Sequence, residues 1–312
     1  MKNLFKNCLA VKEDDGWLLP VRFTDRQLDL YSRDNATLVR SRAVSSVILA
    51  FKSSASKLTL EYRILSKARP WAAFDVLYNG RLMQSVEAPE DSGVIEITLP
   101  ADPSVEVHIY LPHLNCVELR NITADAPLYP TERKDRMLLA LGDSITQGMV
   151  AAKPSNAYPS ILSEHFECDL INAGVGGVCF NASALDYIGC EPDIITVALG
   201  CNDWGREREE FVLAIDSYIE RLASMYKCRK IYWILPIWRN DADGAKGNMT
   251  FTEHRALIRE TVSKYPYISI VDGYELLPHD EDYYGDPSDI KIHPNDKGLI
   301  LYAENLINKI EK

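Results

Sequence analysis

Between residues 137 and 144, five apolar residues, Met137-Leu138-Leu139-Ala140-Leu141, run without a break into Gly142-Asp143-Ser144. A short apolar run that stops at glycine predicts a buried strand of a parallel sheet. Gly142 permits a sharp turn, and the residues after Ser144 can open a helix. That puts Ser144 at the carboxyl edge of the sheet, where ligands bind in open α/β folds. An ordinary N-cap has the same appearance, because Asp and Ser are favoured caps. The rest of the chain has to decide between cap and nucleophile.

The same texture recurs downstream. Asp169-Leu170-Ile171-Asn172 reads as a strand ending at Gly174-Val175-Gly176-Gly177. Residues 194–199 form another, ending at Gly200-Cys201-Asn202-Asp203, and 231–235 and 268–271 supply two more. Helices are expected over 158–165, 211–225, 252–264 and 295–310. Alternating strand and helix predicts a parallel sheet covered on both faces.

The first part of the chain has a different period. From 16 to 123 apolar and polar residues alternate, as in Leu58-Thr59-Leu60-Glu61-Tyr62, and Asn79-Gly80 marks a hairpin. Strands at such spacing predict an antiparallel β-sandwich or jelly roll, with one face of each sheet packed and the other wet. No catalytic cluster is visible there; His108 and His113 read as structural or surface histidines. Pro127, Pro130 and the charged run 131–136 break both periods. The expected division is therefore an all-β sandwich over 1–130, including the linker, and an α/β domain over 131–312.

Composition narrows the function classes. With 34 basic and 45 acidic residues the net charge is -11, and no basic stripe is present. This argues against a nucleic-acid partner and against docking on anionic membranes. The seven cysteines are odd in number and show no C-x-x-C spacing. Free thiols in a reducing compartment fit that pattern, and a zinc site does not. The N-terminus is too weakly apolar for a signal peptide, and no apolar run is long enough to span a bilayer. The expectation is a soluble cytoplasmic protein, with its oligomeric state left open.

Three strand ends thus carry small or polar residues, and His293 lies in a loop just before the last helix. A serine, a base and fixed amide donors are what acyl transfer requires. Ser144 is the candidate nucleophile and His293 the candidate base. The Ser144 amide, the Gly177 amide and the Asn202 side chain are the candidate oxyanion donors. Asp143 and Asp203 read as loop braces. Cys201 lacks a second matching histidine for thiol chemistry. Trp204 and Trp238 follow strand ends, where they either stack on a sugar or pack the rim. His165, His254 and His279 read as surface residues.

Four blocks carry a family resemblance: Gly142-Asp143-Ser144-Ile145-Thr146, Asn172 through Gly177, Gly200-Cys201-Asn202-Asp203, and His293-Pro294. The sequence resembles the SGNH, or GDSL-type, hydrolases. Ser144, Gly177, Asn202 and His293 fall on the family's four functional positions. The resemblance implies a flavodoxin-like αβα domain that hydrolyses esters without metal or organic cofactor. Gly-Asp-Ser-Ile-Thr lacks the final glycine of the G-x-S-x-G elbow, so the α/β-hydrolase comparison fails. The family's acid sits three residues before its histidine, and here that position is Ile290. Asp289, Asp286 or a backbone carbonyl is left to orient His293, and Asp289 is the residue expected. The domain order is similar to carbohydrate acetyl esterases with an N-terminal jelly roll. It implies removal of small acyl groups, O-acetyl above all, from a carbohydrate or other small-molecule ester. A lysophospholipase or thioesterase, and a non-catalytic carbohydrate-binding protein on an esterase scaffold, are the competing readings.

Overall fold

The computed structural model describes residues 1–227, 230–288 and 290–312. The N-terminal strands and helices are β1 (Phe5–Lys6), β2 (Ala10–Asp14), β3 (Trp17–Val21), α1 (Asp25–Tyr31), α2 (Asn35–Arg42), β4 (Ile48–Lys52), β5 (Lys57–Lys67), β6 (Ala73–Tyr78), β7 (Arg81–Glu87), β8 (Ser92–Thr98), β9 (Glu106–Tyr110), β10 (Asn115–Ala124) and β11 (Tyr129–Pro130). They form two antiparallel sheets, β1-β4-β9-β6-β7 with β11 added beside β4, and β2-β3-β10-β5-β8. Leu49, Phe51, Leu58, Leu60, Phe74, Val76, Ile97, Val107, Ile109, Val117 and Leu119 fill the space between them. Burying a side chain of this size contributes roughly 1.5–3 kcal/mol.

The expected wet outer face is absent from part of the first sheet. Ile48, Ala50, Leu77 and Tyr110 point away from the sandwich core and are buried too. Tyr110 donates its hydroxyl to Glu164 of the C-terminal half at 2.7 Å. This part of the sheet is therefore an inner layer, packed on both faces.

Helices α1 and α2 are the second departure from the sequence reading. Each is fixed locally: Thr24 and Gln27 form a reciprocal capping box on α1, and Asp34 caps α2 through the Thr37 amide. Their apolar spacing is weak, so periodicity does not reveal them.

The C-terminal half contains β12 (Met137–Gly142), α3 (Ser144–Gln147), α4 (Tyr158–Phe166), β13 (Asp169–Gly174), β14 (Ile194–Ala198), α5 (Arg208–Met225), β15 (Ile231–Ile234), the small pair β16 (Ala245–Lys246) and β17 (Met249–Thr250), α6 (Phe251–Val262), β18 (Ile268–Val271) and α7 (Asp296–Ile310). Five strands form a parallel sheet in the order β13-β12-β14-β15-β18. This is the flavodoxin-like order, with its switch point beside β12. Alternate residues of β12 serve opposite faces. Leu139 and Leu141 enter a core shared with α5 and α6, while Leu138 and Ala140 enter one shared with α4 and α7. Ser144 emerges at the switch point.

Among the described residues no helix is long and apolar enough to cross a membrane.

Candidate active site

The strand-to-helix turn after β12 is shaped by close approach. A Cβ on Gly142 would lie 1.9 Å from Thr146 Oγ1 and 2.9 Å from the Ala198 carbonyl oxygen. Asp143 then caps α3 by accepting the Ile145 amide at 3.0 Å. Ser144 is thus the first residue of a short helix, where a backbone N–H has no intrahelical partner.

Ser144 Oγ lies 2.8 Å from His293 Nε2, and His293 Nδ1 lies 2.5 Å from Asp286 Oδ1. With Asp286 accepting at Nδ1, Nε2 is left to accept the serine hydroxyl proton. The other Asp286 oxygen accepts the amides of Ile292 and His293, each at 2.6 Å. Burial works to raise the Asp286 carboxyl. Its hydrogen bonds with His293, the imidazole charge and the Ile292 amide outweigh burial and hold it below the usual carboxylate range.

Asp289, the acid expected from sequence, lies outside the described residues. The Nδ1 contact is made by Asp286, seven residues before the histidine. Backbone pairing explains this reach. Tyr284 and Pro294 bridge in antiparallel fashion, and the Gly285 amide donates to the His293 carbonyl at 3.0 Å. This pairing sets Asp286 opposite His293. Lys291 braces it by donating to the Asp286 and Ser288 carbonyls.

The second block supplies Gly177, at φ +84°, in the left-handed region that favours glycine. The neighbouring Gly176 amide donates to Gln147 Oε1 at 2.8 Å. In the third block, Asn202 Nδ2 donates to the Val178 carbonyl at 3.0 Å and reaches Asp143 Oδ2 at 3.4 Å. Asn202 thereby ties the loops after β12, β13 and β14 together. Burial pushes the Asp143 carboxyl up to about 6. Asp203 accepts the Phe180 amide and pairs with Arg206, a bracing arrangement.

The two tryptophans face the packing. Trp204 is buried, donates its indole N–H to the Met249 carbonyl, and is covered by Phe251, Arg239 and Lys246. It therefore offers no free face for sugar stacking. Trp238 is half-buried against His279 and Tyr284. His254, expected at the surface, is buried and donates Nε2–H to the Gly200 carbonyl at 2.7 Å. Burial lowers its pKa to about 4, so it braces the third block as a neutral ring. His165 and His279 are exposed as expected. Cys201 is buried, which raises its thiol to about 12 and removes it from nucleophilic chemistry at neutral pH.

Residues from the sandwich also reach the site, and nothing in their sequence neighbourhoods signals it. Fully buried Arg22 donates to the carbonyls of Asn172, Gly174, Ala43 and Arg40. Ser46 Oγ accepts from the Asn172 side chain at 3.0 Å. His113 Nε2 contacts the Gly148 carbonyl at 3.0 Å, just beyond α3. Arg40 donates to the Gly176 carbonyl at 2.9 Å, and Arg69 to the Met149 carbonyl at 3.2 Å. Among the described residues no cluster of side chains suits a metal ion.

Residues 140–299 match the sequence profile of the GDSL-like Lipase/Acylhydrolase family. Among curated proteins no sequence matches this chain. Solved structures share its two-part architecture. A salicylyl-acyltransferase, SsfX3, from a tetracycline biosynthetic pathway superposes with a TM-score of 0.81 at 21% identity, covering 98% of this chain and 93% of its own. A family two carbohydrate esterase from Cellvibrio japonicus gives 0.67 at 15% identity, covering 99% and 95%. An acetyl xylan esterase, Est2A, from the rumen bacterium Butyrivibrio proteoclasticus gives 0.62 at 14% identity, covering 96% of each chain.

Proposed function

The chain belongs to the GDSL-like lipase/acylhydrolase family and is a carboxylic ester hydrolase, and on that footing we propose that it removes small acyl groups, O-acetyl above all, from a carbohydrate or similar small alcohol. The observation that carries this reading is the continuous hydrogen-bond chain Ser144–His293–Asp286. His293 takes the Ser144 proton as the hydroxyl attacks the ester carbonyl. Asp286 holds the imidazole in the required tautomer and stabilises its cation. The oxyanion is received by the Ser144 and Gly177 amides and by Asn202, whose 3.4 Å bond to Asp143 is the weaker of its two. Each such donor is worth roughly 3–4 kcal/mol in the barrier. His293 then protonates the departing alcohol, and a water activated by the same imidazole releases the acid.

Residues 131–312 carry these groups, and residues 1–130 wall the cleft. Structural likeness supports a short acyl group. The neighbours named as carbohydrate esterases share both parts of the fold. The likeness to a protein named as an acyltransferase favours a second reading, in which an alcohol other than water takes the acyl group from Ser144.

The test is the acyl-length profile of p-nitrophenyl esters, together with acetate release from O-acetylated sugars. Higher kcat/KM for acetyl than for octanoyl esters, lost in Ser144→Ala, is expected. A preference for octanoyl esters would overturn the acetyl reading. Faster p-nitrophenol release and a new ester on adding a sugar alcohol would favour transfer.

A further inference from the structure

The rim of the site holds two guanidinium groups that the acyl chemistry leaves unused. Arg40, near the end of α2, lies against the glycine turn. A Cβ on Gly177 would sit 2.8 Å from Arg40 Nη1, and one on Gly176 would sit 3.0 Å from Arg40 Cδ. Arg69, between β5 and β6, donates Nε–H to Met149, and the Met149 side chain in turn lies against Gly176. Trp71, two residues on, donates to the Ala151 carbonyl at 3.0 Å and fixes the same loop.

Both arginines are half-buried, and among the described residues neither has a carboxylate within ion-pair distance. Burial and the neighbouring Arg40 charge push the Arg69 guanidinium below its ordinary value, with Asp286 acting the other way. Asp286 is already engaged through both oxygens with His293 and Ile292. Two like charges are thus held near each other with no carboxylate among the described residues in ion-pair contact, Asp34 acting on Arg40 and Asp286 on Arg69 only from beyond that distance. The backbone of Arg40 is pinned as well, since its carbonyl accepts from Gln147 at 2.8 Å and from Arg22 at 3.2 Å. A guanidinium pair so placed is pre-organised for a planar anion, which it binds with charge-assisted hydrogen bonds. In a chain of net charge -11, it also offsets the field that would otherwise repel an anionic substrate.

We propose that Arg40 and Arg69 form a carboxylate-binding clamp beside Ser144, and that the preferred ester carries a carboxylate close to its scissile bond. This rests on the esterase reading above. The carboxylate has two chemical sources, the alcohol of an O-acetylated uronic acid or the acyl group of a dicarboxylic acid hemiester.

The test compares kcat/KM within two matched pairs: an O-acetylated methyl glucuronide against its glucoside, and mono-p-nitrophenyl succinate against p-nitrophenyl butyrate. A preference of about tenfold or more for the charged member of one pair is expected. That preference should collapse in Arg69→Gln and in Arg40→Gln, and shrink between about 20 mM and about 500 mM salt as screening grows. The pair that responds identifies the source. Preference for the neutral member of both pairs, or a charge preference that survives both substitutions, would overturn the clamp. Failure of the esterase reading looks different: no ester of either pair, nor p-nitrophenyl acetate, is turned over in a Ser144-dependent way, and the clamp falls with it.

Discussion

Asp286 reaches His293 through both of its oxygens, one on the ring at 2.5 Å and one on the backbone amide at 2.6 Å. The same carboxylate therefore fixes the tautomer of the proposed base and the loop that carries it. Asp286→Asn places an amide where an acceptor is needed. It is expected to lower kcat by about 10³–10⁴-fold while leaving the chain folded. Steady-state kinetics on p-nitrophenyl acetate, with circular dichroism as the folding control, checks this. Asp289→Asn is expected to keep near-wild-type turnover, and a large loss there would return the role to Asp289.

Arg22 holds the second block from behind. Its guanidinium is fully buried, burial lowers its pKa to about 9, and its hydrogen bonds go to backbone carbonyls, including those of Asn172 and Gly174. Replacement by methionine leaves these carbonyls without their donor. Arg22→Met should lower the unfolding free energy by about 3 kcal/mol or more, read from urea denaturation. It should also reduce kcat, because the Gly177 turn loses its support. Unchanged stability would show that water replaces the guanidinium at no cost.

A pH signature is built into the seam between the two halves. His108 on β9 lies between Glu106 and Glu164, at 2.8 Å and 2.7 Å. Burial disfavours the charged ring, but hydrogen bonds and charge from both carboxylates outweigh it and raise the pKa from 6.5 to about 9. The stabilisation is therefore complete below the unfolded value and is lost as pH rises through 9. Glu106 is lowered from 4.5 to about 2, first by its hydrogen bond with His108, so its share is lost as pH falls through 2. The Tm difference between wild type and His108→Gln should be widest between about pH 4.5 and 6.5 and shrink above about pH 9. A difference that stays flat across that range would contradict the linkage.

The sandwich is more than an appendage. Asn7 Oδ1 accepts the Leu170 amide at 2.9 Å, Asp75 accepts both the amide and the hydroxyl of Ser155, and Ser46 contacts Ser160 and Asn172. Cutting the chain at 130 would expose these groups together with the apolar outer face of the first sheet. Residues 131–312 expressed alone are expected to aggregate or to unfold without a cooperative transition. A soluble, active fragment with a sharp melt would refute this dependence.

The sequence carried the repeating part of the architecture because strand and helix periods are local. Leu138 to Leu141 serve two cores in alternation, so every position is apolar, and that unbroken run is visible in the sequence. What stayed hidden depends on distant partners. Helices α1 and α2 owe their positions to caps and to packing, not to an apolar stripe. Ile48 and Ala50 look like one face of a wet sheet until α4 covers them. His254 reads as polar surface until it meets the Gly200 carbonyl. Asp286 is among the candidates that the sequence offers for orienting His293, but spacing does not select it, and the Tyr284–Pro294 bridge is a long-range pairing that brings the two together. The arginines of the rim come from the other half of the molecule, where no motif marks them.

In the proposed reaction Ser144 is acylated by the ester with His293 as its base. Rapid mixing with p-nitrophenyl acetate, acid quenching and peptide mass spectrometry tests it most directly. Acetyl is expected on the peptide bearing Ser144 in the wild type. None is expected in Ser144→Ala, with a fall in turnover of about 10³-fold or more. Wild-type turnover in Ser144→Ala, or acetyl found on another residue alone, would contradict it.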